Sequence, residues 1–374
     1  MRRNVIMIIS ALIFAAAIIY VIKQSETISL LQTLLPEKIA VFKNVHMSGI
    51  EASSEAWDIY AKEAWTGRDK FVTSFDHVTN ATITKNGRIM IKGLVARRAR
   101  IAKNKDFEIF RSIEEDKNDR YLRVKVDFGA LANPPKQEKN FSSLTADYIK
   151  FNPDSKKALV QGNIRILKDK LTVRGEIATL DLNLNIATFE GRSSFTKRDT
   201  KLYSDSATAF FDTDKVDLSG SVEVEQKNKK ASSEAANYDD NSKTIIMTGN
   251  VVAVIEKPKS LMKEESAGKY KSEEAKKALI TRTHVKCDKL IIDTESNDAK
   301  AYGNVLVIQT SKEAKSDQAE YSEGNAVIVM TGNVYMKKND DWITADKVIV
   351  SVDKEIFEAT GGVETTFKVK KGSR

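Results

Sequence analysis

The sequence predicts an all-β protein: an elongated body of repeated antiparallel strand pairs, preceded by one transmembrane helix. Three observations predict it. They are an apolar run near the amino terminus, a glycine tag that recurs every 29 residues, and apolar positions that step by two within each repeat. Composition agrees with a folded chain, because 41% of the 374 residues are hydrophobic, 30% are charged and the net charge is +8.

The first element is the apolar run from Val5 to Ile22, with Arg2 and Arg3 before it. As a helix it spans roughly 27 Å, close to the thickness of a hydrocarbon core. A cleaved signal peptide is the alternative, but its apolar segment is shorter and ends at a cleavage site of small residues, whereas Ala15–Ala17 lie within this run. We therefore expect residues 1–24 to be an uncleaved anchor. The positive-inside rule then places the bulk of the chain across the membrane, which in a bacterium is the periplasm.

The second element is a β domain over residues 40–130 that carries a looser version of the repeat. Its strongest local signal is Asn86-Gly87, a pair that favours the left-handed conformation of a tight hairpin turn. Lys62 and Arg97 stand where the later repeats carry an acid. A proline-containing stretch, residues 131–140, is the predicted linker to the repeats.

The third element is a repeat domain over residues 141–374. The tag Gly-[Asn/Ser/Gly]-[Val/Ile] occurs with spacings of 58, 29, 54, 29 and 29 residues at Gly162, Gly220, Gly249, Gly303, Gly332 and Gly361. The spacing of 58 is two periods, and Gly191 stands at the missing position. The spacing of 54 contains 25 extra residues, which we interpret as one loop insertion at about residues 256–280.

The period holds at positions that were not used to find it. An acid stands fifteen residues before each of the seven glycines, at Asp147, Glu176, Asp205, Glu234, Asp288, Asp317 and Asp346. Apolar residues step by two on both sides of a central turn, so each unit is two strands and two tight turns. A glycine inside the second strand predicts a β-bulge.

No set of residues in the chain predicts catalysis, so we expect no enzyme, no metal site and no cofactor. Because seven recurrent acids do not converge on one site, they favour a turn or strand-edge role over metal or substrate binding. Cys287 stands where other units carry a small residue and is interpreted as space-filling. Arg97, Arg98 and Arg100 could meet anionic head groups or a partner, or form a solvated sheet face. Nucleic acid is disfavoured because basic and aromatic residues are not interleaved.

The apolar rows are the informative feature, because stacked repeats align each apolar position along the long axis. The rows are either a hydrophobic groove or an ordinary sheet core, and the sequence leaves both open. The candidate groove residues are Ile149, Phe151, Val160, Leu180, Phe189, Leu218, Tyr238 and Met247.

The chain resembles the OstA-like family of periplasmic lipopolysaccharide-transport proteins, which includes LptA and LptC. The resemblance rests on the anchor, on the segment WDIYAKEAW at residues 57–65, and on repeated units such as ADYI with QGNI at residues 146–149 and 161–164. It implies an open β-jellyroll whose interior carries the acyl chains of lipopolysaccharide (LPS). The anchor and first domain resemble LptC, and the later repeats resemble LptA.

The resemblance implies a non-enzymatic carrier at the inner membrane. Its partners would be LPS, the LPS-export ABC transporter of the inner membrane, and an LptA-like or outer-membrane LptD-like β-jellyroll that stacks edge to edge. Two alternatives remain. One is a β-solenoid scaffold or adhesin, or a parallel β-helix, because a period near 29 also suits a three-strand coil. The other is an assembly protein that contacts partners through open sheet edges and binds no lipid.

Overall fold

The computed structural model describes residues 38–51, 54–67, 71–85, 88–102, 106–110, 122–127, 141–168, 170–227, 229–256, 282–310, 312–351 and 356–367. Within them the chain forms 22 strands that belong to one sheet. The strands are β1 (Ala40–Glu51), β2 (Ser54–Thr66), β3 (Val72–Lys85), β4 (Arg88–Ala102), β5 (Phe107–Phe110), β6 (Leu122–Asp127), β7 (Phe141–Ala146), β8 (Tyr148–Asn152), β9 (Lys157–Lys168), β10 (Leu171–Asp181), β11 (Ile186–Lys197), β12 (Thr200–Phe210), β13 (Lys215–Gln226), β14 (Lys229–Asp239), β15 (Thr244–Ile255), β16 (Thr283–Asp293), β17 (Ala299–Gln309), β18 (Lys312–Ser322), β19 (Val327–Lys338), β20 (Asp341–Ser351), β21 (Ile356–Thr360) and β22 (Glu364–Thr366).

The sheet is an antiparallel meander in which each strand pairs with its neighbours in the chain. Within the described residues the order is broken in two places. At the end of the sheet β20 pairs with both β21 and β22. The other place lies between β4 and β9. There β4 pairs with both β5 and β6, β5 pairs with β8, β6 pairs with β7, and β7 and β8 both pair with β9. Every strand pair in the described residues is antiparallel, so the parallel three-strand coil is the wrong architecture. The two-turn unit is the reason, because tight turns join antiparallel strands only.

Alternation of buried and exposed residues explains why these segments are strands. In β13, for example, Val216 and Leu218 are buried while Asp217 between them is exposed. The alternation places one face of each strand on a common core. In the repeats the register shifts at the glycine tags from Gly162 to Gly332, and this confirms the bulge that the sequence predicts. At Gly361 the strand is interrupted between β21 and β22.

One hydrophobic core runs through most of the sheet, from Ile59 in β2 to Val305 in β17. It continues across the predicted linker: Phe107 of β5 pairs with Phe151 of β8, and both are buried. Residues 40–130 and 141–374 therefore share a sheet and a core. Their division into two domains stays a prediction.

Several predicted features lie outside the described residues. They are the anchor at residues 1–24, the hairpin turn Asn86-Gly87, the linker at 131–140 and most of the insertion at about 256–280. No helix in the described part of the chain has the length and hydropathy of a membrane span.

Candidate functional site

A line of bulges, here called the spine, crosses the middle of the repeat strands. At each bulge a glycine and the residue after it stand opposite one acid of the neighbouring strand. Gly249, with a φ of +80°, and Asn250, with a φ of +47°, both occupy the left-handed region. Two consecutive residues of this kind kink the strand and increase its twist. The spine thus divides each strand into two halves, and both contribute buried side chains.

The recurrent acids belong to the spine. The Asn250 Nδ2 donates a hydrogen bond of 2.6 Å to Glu234, and Asn304 and Asn333 each donate one of 2.9 Å to Asp288 and Asp317. The acids therefore lie at mid-strand bulges, and the expected place at a turn or strand edge is wrong. The reason is that the two left-handed residues leave room beside the glycine for the carboxylate. In the described residues no group of acids, histidines or cysteines has the arrangement of a metal site.

The interior has one half on each side of the spine. Two cross-strand rows of apolar residues line the half that contains Ile149 and Phe151 of β8. The floor row lies next to the spine and comprises Ile149, Val160, Ala178, Phe189, Ala207, Leu218, Ala236, Met247, Leu290, Ala301, Ala319, Met330, Val348 and Ala359. The mouth row lies two residues nearer the turns and comprises Phe151, Ala158, Leu180, Ala187, Ala209, Val216, Tyr238, Ile245, Ile292, Ala299, Tyr321, Ile328, Val350 and Phe357.

All eight predicted groove residues lie in these two rows, and all eight are buried. Phe189 is closed off by the other half of its own strand, where Phe195 contacts it edge to face with ring centroids 5.7 Å apart. From β8 to β15 the interior is therefore filled by the protein's own side chains. In this state the eight residues pack as core, and their role in lipid binding stays a prediction.

Burial of the mouth row changes along the molecule. The row is buried from Phe151 to Ile245, half-buried from Ile292 to Val350, and 46% exposed at Phe357. The other half of the interior changes in the same way, because Phe195 and Val224 are buried whereas Val307 and Met336 are only half-buried. The floor row stays buried as far as Val348, apart from the half-buried Ala319. The interior is thus a closed core up to β15 and an open apolar trough from β16 onward.

Polar contacts between opposite strand ends close the interior. In three of these contacts the end of one strand meets the turn that follows the third strand after it. Lys168 of β9 lies 3.4 Å from Asp214, Lys197 of β11 lies 2.6 Å from Asp240, and the Gln226 amide of β13 donates to the Thr294 carbonyl at 3.0 Å. Lys229 at the start of β14 reaches Glu323 at 2.6 Å. We call these contacts the lip contacts.

Asp240 is the best connected residue of the lip contacts. It accepts a hydrogen bond of 2.7 Å from the Tyr238 hydroxyl and pairs with Lys243 at 3.2 Å as well as with Lys197. Burial acts to raise the pKa of Asp240, but these three donors outweigh burial and hold that pKa at about 2. The pKa of Tyr238 is raised, first by burial and then by the hydrogen bond to Asp240.

The predicted basic residues come together in the first part of the sheet. A cavity of about 620 Å³ is lined by Lys38, Lys43, Asn44, Lys62, Glu63, Asp76, His77, Arg97, Arg98, Arg100 and Phe110. Arg98 donates to Asp76 at 2.6 Å and Arg100 lies over the Phe110 ring at 5.1 Å. Burial acts to raise the pKa of Asp76, but hydrogen bonds from Arg98 and Trp65 lower it overall. The contact of these arginines with head groups or a partner stays a prediction.

Cys287 lies buried beside the spine, opposite Val251. Burial, with the charge of Asp288, raises the pKa of its thiol to about 11. A protonated, buried thiol is unreactive, as expected of a space-filling residue.

Sequence reasoning missed the change in burial along the mouth row and the lip contacts that accompany it. The 29-residue period repeats the same apolar pattern on both sides of β15, so it carries no sign that one part is closed and the other open. Lys197 and Asp240 lie 43 residues apart, and no local pattern links them.

Much of the repeat domain matches a known protein family. Residues 143–265 and 313–373 match the LptA/(LptD N-terminal domain) LPS transport protein family. The two segments make up just under half of the chain, and residues 1–142 lie outside them. The match supports an LPS-transport component built from LptA-like repeats, in a family described by transport rather than by catalysis.

Among solved structures, LptH is similar to this chain. LptH is the LptA-homologous periplasmic component of the lipopolysaccharide transport device of Pseudomonas aeruginosa. The similarity covers 46% of this chain and 95% of LptH, with 10% sequence identity and a TM-score of 0.22. No curated protein matches the chain.

Proposed function

We propose that this protein is a membrane-anchored periplasmic carrier of LPS. It takes LPS from the ABC transporter of the inner membrane and passes it toward the outer membrane through its apolar interior. The match to the LptA/LptD N-terminal family supports LPS transport as the process. The open trough from β16 onward carries the proposal for the mechanism, because it presents an apolar interior that acyl chains can enter from the side.

Burial of acyl chains supplies the affinity. Each CH2 removed from water contributes about 0.8 kcal/mol, so a lipid with several chains is held firmly. The trough is lined by repeats of one pattern, so it has no step that traps the lipid at one place. Direction then comes from the ATP cycle of the transporter. In this mechanism the eight closed-core residues contact the lipid only where the lip contacts separate, and Ile292, Tyr321, Ile328 and Val350 contact it in the open trough nearer the second end.

Partners would bind at the two ends of the sheet. Among the described residues β1 pairs only with β2, and its Val41 and Phe42 are 46% and 55% exposed. At the other end Ile356 and Val363 are 46% and 47% exposed. Unpaired edges of this kind add strands from a partner. We propose that the first end and its basic cavity face the transporter, as in LptC, and that the second receives an LptA-like or LptD-like β-jellyroll.

The test is photo-crosslinking in living cells with a photoreactive residue at Tyr321, Ile328 or Val350. The matched controls are Lys300 and Glu320, which point outward from the neighbouring positions of β17 and β18. We expect LPS adducts at the three trough positions and none at the two outer positions.

Two results would contradict the proposal. One is the absence of adducts at all three trough positions while a known carrier gives adducts in parallel. The other is equal labelling of trough and outer positions. Either result favours a scaffold or assembly protein without lipid cargo. Depletion gives an independent measurement, because loss of a carrier leaves LPS at the inner membrane whereas loss of a scaffold does not.

A further inference from the structure

A groove on the outside of the sheet carries four arginines. It has a volume of about 850 Å³ and is lined by Arg123, Ser143, Thr145, Asn163, Ile164, Arg165, Leu167, Arg174, Gly175, Glu176, Arg192, Ser193, Ser194 and Tyr203. Arg165 is exposed while its neighbours Ile164 and Ile166 are buried, so the arginine faces away from the apolar interior. The groove is therefore separate from the trough.

Strand register brings three of the arginines into one short row. Arg123 of β6 stands opposite Thr145 of β7, Thr145 stands opposite Arg165 of β9, and Arg165 stands opposite Arg174 of β10. Directly opposed residues have Cβ atoms about 5 Å apart, and like charges at that distance repel. An arrangement of this kind lowers the stability of the empty protein unless an anion lies between the charges.

The charges in the row are not neutralised within the described residues. Arg123, Arg165 and Arg174 make no hydrogen bond or ion pair there, whereas Arg192 pairs with Glu223 at 2.8 Å. The groove has one carboxylate, Glu176, which accepts from the backbone N–H of Asn163 at 3.3 Å. Three guanidinium groups thus remain available to a ligand.

The arginines are not part of the repeat. The positions that correspond to Arg165 in later units hold Ser194, Glu223, Val252, Leu306, Tyr335 and Glu364. Those that correspond to Arg174 hold Tyr203, Ser232, Lys286, Lys315 and Thr344. If the fold needed arginine at these positions, it would recur with the 29-residue period. Its restriction to β6, β9 and β10 indicates a local function.

We propose that Arg123, Arg165 and Arg174 form a binding site for a phosphate-bearing ligand, either a phosphomonoester or a diphosphate. Guanidinium groups bind phosphate oxygens through two parallel hydrogen bonds, and neighbouring arginines bridge one phosphate or two linked ones. The site goes beyond LPS transport through the apolar interior, because it lies on the opposite face of the sheet.

The test uses the full chain in non-ionic detergent and phosphorus NMR titration. The probes are inorganic pyrophosphate, short-chain dihexanoyl phosphatidic acid, and dihexanoyl phosphatidylcholine as the zwitterionic control. We compare the wild type with the double variant Arg165→Gln/Arg174→Gln. A matched variant, Lys289→Gln/Lys347→Gln, removes the same charge from two exposed positions of β16 and β20.

We expect the wild type and the lysine variant to bind pyrophosphate or phosphatidic acid, and the arginine variant to bind at least about tenfold more weakly. If phosphatidic acid binds tenfold tighter than pyrophosphate, the ligand of the site is a lipid head group. If the two affinities are similar, the site recognises phosphate alone. Thermal unfolding checks the variants. We expect the arginine variant without ligand to unfold at or above the wild-type temperature, because it relieves like-charge repulsion.

Three results would overturn the site. They are no binding of either anionic probe to the wild type, equal binding by the wild type and the arginine variant, and equal weakening in the lysine variant, which would indicate net charge alone. The milder Arg165→Lys/Arg174→Lys variant keeps the charge and loses the paired hydrogen bonds. It separates the two contributions if the glutamine variant does not fold.

Discussion

Glycine at the spine is required by two separate physical constraints. The first is the backbone, since a φ of +80° at Gly249 costs energy for any residue with a Cβ. The second is space, since a Cβ added at Gly249 would lie 2.6 Å from Oε2 of Glu234. The acid, the glycine and the asparagine after it therefore form one structural unit. This gives a structural reason for the recurrence of seven carboxylates in phase.

Alanine substitutions at three glycines separate these two constraints from a general effect of alanine. The first is Gly249→Ala, where both constraints apply. We expect it to lower the free energy of unfolding by about 1–3 kcal/mol, because the left-handed backbone and the contact with Glu234 both oppose a Cβ. Gly191→Ala is expected to cost less, because Gly191 has a φ of +78° but no atom within 4 Å of its added Cβ. Gly324→Ala, with neither constraint, is the control.

The measurement is equilibrium denaturation in urea. The order expected for the loss of stability is Gly249→Ala, then Gly191→Ala, then Gly324→Ala. Equal losses for the first two would show that packing of the acid over the glycine adds nothing.

At the scale of elements, the closed part of the interior depends on turns that meet strand ends three strands away. Lys197 of β11, Asp240 after β14 and the Tyr238 hydroxyl form one such contact. Tyr238 belongs to the mouth row, so the contact joins the apolar wall to the polar lip. Loss of the Asp240 charge would therefore weaken the contact with Lys197 that closes the interior beside Tyr238.

The pKa of about 2 at Asp240 predicts a pH dependence of stability. A carboxyl pKa that is lower in the folded protein stabilises it above the ordinary value of 3.8, and this stabilisation is lost as the pH falls through about 2. We expect Asp240→Asn to be less stable than the wild type by about 1–2 kcal/mol at pH 6. The difference should shrink between pH 4 and pH 2.

Free energies of unfolding at pH 6, 4 and 2.5 for the two proteins check this prediction. Asp217→Asn is the control, because Asp217 lies exposed on the outer face of β13 and takes no part in the lip contacts. A difference between wild type and Asp240→Asn that stays constant over this range would show that the Asp240 charge does not support the lip contacts.

At the scale of the whole molecule, the two apolar rows are continuous, but the mouth row is buried in only part of their length. The floor row remains buried almost to the carboxyl-terminal end, while the mouth row opens from β16 onward. A closed section and an open section thus share one sheet and one set of rows. Lipid that moves from the first end toward the open section would meet the closed section as a barrier, which passes lipid only if the lip contacts separate.

Cysteine labelling measures this difference without lipid. In a Cys287→Ser background we compare Val216→Cys in the closed section with Val350→Cys in the open section. Both are valines of the mouth row, so the chemistry is matched. We expect an apolar maleimide to label Val350→Cys at least about a hundredfold faster, because Val216→Cys reacts only when the core opens.

Serine is a conservative background, since Ser233 and Ser316 occupy the position of Cys287 in other units. Labelling at full rate after unfolding in urea confirms that both thiols are intact. Similar rates in the folded protein would mean that the interior is closed throughout or open throughout, and either result removes the distinction between the two sections.

The amino-acid sequence by itself determined the strand pairs, the bulges at the glycine tags and the alignment of the apolar rows, and it favoured antiparallel pairing over the parallel coil. These follow from local patterns, because a period of two assigns a face to each residue and a period of 29 aligns those faces between units. Only the tertiary structure decided that Phe151 and Tyr238 are closed off while Ile328 and Val350 are open, and that Arg165 meets Arg174. Those facts depend on contacts between strand ends and turns 43 to 94 residues apart and on cross-strand neighbours. Such pairs leave no periodic trace in the chain, since the same apolar pattern suits a covered wall and an uncovered one equally well.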